Sequence, residues 1–339
     1  MRNLTIKFAV IGALGLATAQ VLAAPAGFVN LPLTGFTVAP ITTGIAQQPG
    51  GTSAFILLNT SGNFGSSATI NPATGNAYTF GAILPAPAND LASPATGFTL
   101  VTSAVRQVTV NNTYTGNVAK NIGTVLDAVW RNAAKTECIY GTKVTLNSTD
   151  YNVLPGNDYF EVNSIVRGGF GTRPVAVAYA TTSATGEVTF RAGRTYTSVQ
   201  HRGSLLYNSA TGKGYVPRPL TTPAFTGAIN GLDTLPNPAT DNPTAAQQSA
   251  SINTNWVELT TDVNWLDADT MTPAASSHMN YIHSTCSSAA PVAVANAIRL
   301  RQTYQEASAA GNPNRFTSVS VTGFVPPGGT ATPAPAVPY

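Results

Sequence analysis

Residues 256–265 read Trp-Val-Glu-Leu-Thr-Thr-Asp-Val-Asn-Trp. Val257, Leu259, Thr261, Val263 and Trp265 fall on one side of an extended chain. Trp256, Glu258, Thr260, Asp262 and Asn264 fall on the other. Such period-2 alternation marks a half-buried strand, whereas a helix would scatter the same residues around its axis.

Working outward, segments of the same character recur at 98–110, 124–131, 137–146, 159–167, 174–181, 187–191, 278–286 and 315–325. In 124–131, Leu126, Ala128 and Trp130 alternate with Val125, Asp127, Val129 and Arg131. In 137–146, Cys138, Tyr140, Thr142, Val144 and Leu146 share a side. Turn-forming clusters such as Gly168-Gly169 and Thr185-Gly186 separate these runs. Residues 289–311 have helix-forming composition, yet Ile298 and Leu300 alternate with Arg299 and Arg301. We read a strand there. The expected fold is all-β: an antiparallel β-sandwich body over 98–325, with long irregular loops and extended terminal segments. The longest loop is expected at 208–253, where strand patterning fades.

Charge is scarce. The 339 residues include 17 Lys+Arg and 14 Asp+Glu, 9% in all, against roughly 25% in an ordinary soluble domain. Threonine supplies much of the polar remainder, 47 residues. The net charge of +3 comes without a basic cluster, which argues against a nucleic-acid partner.

Residues 1–23 have the layout of a secretory signal: Arg2 and Lys7, an apolar run from Phe8, and a small residue at Ala23. After cleavage no helical transmembrane span is expected. An exported chain with two cysteines predicts one disulfide, Cys138 to Cys286. The localisation expected is secreted, extracellular or cell-surface, with the periplasm as a variant.

The N-terminal segment 24–97 carries no charge as far as Asn89. In it, Val29, Leu31 and Leu33 alternate, and Phe36 and Val38 resume after Gly35. We read these five as an assembly arm that could add to a neighbour's sheet, or as a strand paired within its own subunit. Residues 326–339, with five prolines and no charge, read as an extended tail.

Groups able to carry chemistry are few. Asp262, Asp267 and Asp269 form the best candidate metal set, suited to Ca²⁺, although capping and turn roles explain them equally well. His278, His283 and Cys286 are ligand types, but on a strand the two histidines point to opposite faces. No Gly-x-Ser-x-Gly, His-Glu-x-x-His or phosphate-loop motif occurs, and no enzyme is expected. Trp256, on the polar side beside Glu258, is the candidate ligand-stacking residue, and Trp265 is expected in the core. The function expected is a secreted, non-enzymatic structural protein that forms homo-oligomers or polymers as a surface layer or fibre. The alternative is a secreted β-sandwich module that binds carbohydrate or another surface ligand.

Overall fold

The computed structural model describes residues 22–38, 51–53, 55–57, 83–112, 114–153, 155–180, 186–187, 189, 191–196, 198–202, 215–219, 252–266, 273–302 and 317–331. These contain nineteen strands and no helix. In chain order they begin β1 (Val29–Leu31), β2 (Phe36–Val38), β3 (Gly51–Ser53), β4 (Phe55–Leu57), β5 (Ile83–Leu84), β6 (Phe98–Val110), β7 (Lys120–Asn132), β8 (Glu137–Leu146), β9 (Glu161–Gly168) and β10 (Val175–Ala180). They continue β11 (Gly186–Glu187), β12 (Arg191–Gly193), β13 (Ser198–Arg202), β14 (Tyr215–Pro219), β15 (Trp256–Asn264), β16 (Ser276–Ser277), β17 (Met279–Thr285), β18 (Val292–Gln302) and β19 (Thr317–Val325).

Two sheets pack face to face as a β-sandwich. The nine-stranded sheet runs β6-β7-β8-β17-β10, with β1 and β5 sharing the outer side of β10 and β16 and β11 continuing beside β8. The six-stranded sheet runs β19-β18-β9-β15-β12-β4 and is antiparallel throughout. Between the sheets lie Val125, Val129, Tyr140, Val144 and Ile282 from the first, and Ile165, Val257, Leu259, Ile298 and Leu300 from the second. Their alternation is the one legible in the sequence, and burying that side is what fixes the register of each strand.

The described strands of the sandwich form one body. β17 lies between β8 and β10, and β9 lies between β15 and β18, so strands from either side of 208–253 interleave in both sheets. The disulfide Cys138–Cys286 clamps β8 to β17 within the first sheet, with Cα atoms 5.7 Å apart. The Cys286 N–H donates to the Thr136 carbonyl at 2.8 Å, extending the ladder past the clamp.

The outer faces are covered as well. Phe28, Leu84 and Phe98 pack on Ala128, Trp130, Ile139, Met279 and Tyr281, on the outer side of the first sheet. The Trp130 Nε1–H donates to the Leu91 carbonyl at 3.1 Å. The described parts of the charge-free N-terminal segment thus cover this sheet. Every residue of β10 is buried, as its unbroken apolar sequence requires.

The structure bears on four of these expectations. The arm is seated in its own subunit: Val29 and Leu31 pair antiparallel with Val177 and Val175 of β10, and Phe36 and Val38 pair with Ser53 and Gly51 of β3. Leu31 and Phe36 are buried in the core, while Leu33 stays 36% exposed between the two strands. The tail does not start out extended. The Gly329 N–H donates to the Pro326 carbonyl, Arg173 donates to Pro327 and Asn255 to Thr330, and Ala331 is buried. Residues 332–339 lie outside the described set, as do 1–21 of the expected signal peptide. Within 208–253, Tyr215–Pro219 is a strand paired with Ser198–Arg202. The strand read in 289–311 is present as Val292–Gln302.

Candidate functional site

A charge pair sits at the centre of the sandwich. Asp127 on β7 shares a side with Val125 and Val129, and that side faces the core. Its Oδ1 lies 2.6 Å from Nη2 of Arg167 on β9, in the opposite sheet, and both side chains are fully buried. The Arg167 guanidinium also donates to the Gly141 carbonyl at 3.0 Å, to Thr142 Oγ1 at 2.5 Å and to the Phe324 carbonyl at 2.7 Å. It stacks over the Tyr140 ring. Asp127 Oδ2 accepts the Phe324 N–H at 2.7 Å and pairs with Arg106 at 3.3 Å. This network joins β6, β7, β8, β9 and β19. Burial, the largest effect, raises the Tyr140 phenol well above its ordinary value.

A second cluster lies on the outer side of the six-stranded sheet. Tyr196 meets Trp256 edge to face at 4.9 Å between centroids. Arg301 stacks on Tyr196 at 4.3 Å, and Arg299 donates to the Tyr196 hydroxyl at 2.7 Å. Glu258 Oε1 accepts from Ser164 Oγ at 2.7 Å and lies 3.7 Å from Arg301 Nη1. Nearby, Arg194 donates to the Gly171, Arg173 and Thr254 carbonyls. Burial lowers the Arg194 guanidinium to about 9, still cationic at neutral pH.

A third grouping lies on the outer side of the first sheet. His283 is buried with Nε2 3.2 Å from Glu137 Oε2. Phe28 and Phe98 meet its ring edge-on. Burial is the larger influence and holds the imidazole below its ordinary value of 6.5, against the opposing pull of Glu137. His278 lies on the opposite face against Tyr179, as strand alternation requires.

The sequence-derived site residues fare as follows. Trp256 is no surface platform: it is fully buried under Tyr196, Ala297, Val325 and Ala331. The polar side of β15 is itself an interior face, where Glu258 and Thr260 are buried too. Trp265 is 39% exposed. The strand ends at Asn264, whose N–H and carbonyl close a bridge with Ala274, and Trp265 leaves the sheet. Of the acidic set, Asp262 sits where the β15 register shifts, between Thr260 and Val263, and Asp267 and Asp269 lie outside the described residues.

Among the described residues no three His, Cys, Asp or Glu side chains are grouped to hold a metal. No helix among them is long and apolar enough to cross a membrane. Sequence reasoning missed the partnership of Asp127 with Arg167 and the Arg299–Arg301–Glu258 cluster. Its signal was a charge placed on the apolar side of a strand, as Asp127 stands between Val125 and Val129. No protein-family model matches the chain, and no curated protein matches it.

Proposed function

We propose that this chain is an exported, non-enzymatic structural protein that associates with copies of itself in an extracellular or cell-surface layer or fibre. One observation carries the reading: the chain has few charges, and part of that small supply is held in the interior. Asp127, Glu161, Arg167, Arg194, Glu258 and Arg301 are buried, six of the 31 charged residues in the chain. The charge left for the surface is correspondingly sparse. Net repulsion is what keeps proteins apart in solution, and a neutral, threonine-rich surface lacks it. A sandwich stapled by a disulfide and covered on both outer faces is a rigid unit suited to bearing load in an oxidising compartment.

The test is light scattering after size exclusion, with negative-stain microscopy, on exported material over a range of concentrations. The expected result is a mass above one chain that rises with concentration. A single-chain mass up to the solubility limit overturns the reading.

A further inference from the structure

We infer that His283 is an acid-operated latch: its protonation lifts Phe28 and the chain ahead of it off the outer face of the nine-stranded sheet.

His283 is fully buried on the outer side of β17, with Nε2 3.2 Å from Glu137 Oε2. A carboxylate only accepts hydrogen bonds, so Nε2 carries the proton of the neutral ring and Nδ1 keeps its lone pair. Among the described residues Nδ1 is buried and has no hydrogen-bond partner. A second proton has to go there. It turns a bare lone pair into a buried, cationic N–H with no acceptor. Burial opposes that proton more strongly than Glu137 invites it. The Glu137 side chain is 30% exposed, so water screens its pull. The charged ring gains an acceptor only where water is let in, and water is let in only by moving what covers the ring.

Two rings cover it. Phe28 stands edge-on at 6.0 Å between centroids and Phe98 at 5.8 Å. Phe98 heads the 13-residue β6 and is fixed opposite Asn132 of β7. Phe28 is held more lightly. Its N–H closes a turn on the Pro25 carbonyl at 3.0 Å, and only the three residues of β1 follow it onto β10. Leu31, at the end of β1, is buried in the core. Phe28 is therefore the ring that moves, and β1 is its hinge.

The groups around the imidazole leave Glu137 as the charged group in contact with it. Residues 24–31, 97–100 and β10 carry no charge. Arg131 on β7 donates to the carbonyls of Ser287, Ser288 and Ala289. Lys143 on β8 pairs with Asp90 at 2.8 Å. His278 lies on the opposite face of β17, against Tyr179.

The experiment is hydrogen exchange with mass spectrometry on the full chain at pH 7.0 and pH 5.0. Protection is taken relative to the unstructured chain at the same pH. We expect protection in 24–29 to fall roughly tenfold at pH 5.0, the scale that linkage allows over this range for a histidine with an ordinary value near 6.5 once uncovered. Protection in β7 should stay unchanged, because the sheet itself does not open. His283→Gln keeps every other titrating group and should hold 24–29 equally protected at both pH values. Should it not fold, as β7 protection at pH 7.0 would show, His283→Leu, which suits the apolar site, takes its place.

Unchanged protection of 24–29 in the parent chain overturns the latch, whatever the variants do. An equal loss in 24–29 and β7 shows global unfolding and overturns it too. A loss confined to 24–29 that persists in the variant assigns the opening to another group and removes His283 from it.

Discussion

Arg167 and Asp127 meet across the sandwich, Nη2 to Oδ1 at 2.6 Å, with neither side chain reaching solvent. Two backbone groups of Phe324 complete the set, its carbonyl accepting from Arg167 and its N–H donating to Asp127. Removing Asp127 would leave Arg167 charged, buried and without a counter-ion, which typically costs about 3–5 kcal/mol, whereas Asp127 without Arg167 keeps Arg106 at 3.3 Å. We therefore expect Asp127→Asn to lose about that much in urea unfolding and Arg167→Met to lose less. The double variant Arg167→Met/Asp127→Leu should lose less than the sum of the singles, because the only charge left without its partner is the part-exposed Arg106. Strict additivity would show that the two residues act independently.

The disulfide closes a sequence separation of 148 residues between neighbouring strands. Cross-linking so long a loop limits the unfolded chain, and the chain-entropy model assigns it about 5 kcal/mol. Cys138→Ser/Cys286→Ser is expected to lower stability by about 2–5 kcal/mol while the ladder between β8 and β17 persists. Thermal melts with and without reductant check this. Equal melting temperatures for the parent chain and the double variant would contradict it.

Each sheet lays a buried tryptophan on a glycine of the adjacent strand. A Cβ on Gly168 would stand 2.8 Å from the Trp256 ring, and one on Gly141 2.6 Å from the Trp130 ring. Both rings are fully buried. Gly168→Ala and Gly141→Ala should each cost about 1–3 kcal/mol by overpacking. Gly97→Ala has open space instead, but its φ of +83° strains an alanine, so it should lose stability through the backbone and not through packing. Denaturant midpoints measure the three variants side by side.

His283 makes the fold sensitive to acid. Burial holds its folded-state value below 6.5, so below that pH the unfolded chain binds a proton the folded chain lacks. Stability contributed at this site is therefore intact above about pH 6.5 and falls as the pH drops from there towards the folded-state value. Unfolding midpoints compared near pH 7.5 and near pH 5.5 should separate further for the parent chain than for His283→Gln. An identical pH dependence in both would assign the acid sensitivity to another group.

The segments that alternate cleanly were legible as strands. Phe98–Val110 and Glu137–Leu146 have the bounds their patterning implies, and Val292–Gln302 emerged from helix-like composition because Ile298 and Leu300 alternate. The disulfide followed from two cysteines alone. Less legible was the role of the polar sides. Trp256, Glu258 and Thr260 read as a wet face, yet they form a buried one. Alternation separates the two sides of a strand but does not say whether a second layer covers the polar one.

By itself, the sequence determined that the chain is built of strands, because a period of two is a local property of side-chain placement. It likewise determined that little charge is available for a surface. Only the tertiary structure decided where that charge goes. Asp127 and Arg167 lie 40 residues apart and become partners because two sheets stack. Val29 and Leu31, free to be an arm on sequence alone, are held as a strand because β10 offers them an edge. Among the described residues β6 pairs with β7 alone. Which strands become neighbours depends on strand order, and strand order is set by contacts far apart in the chain.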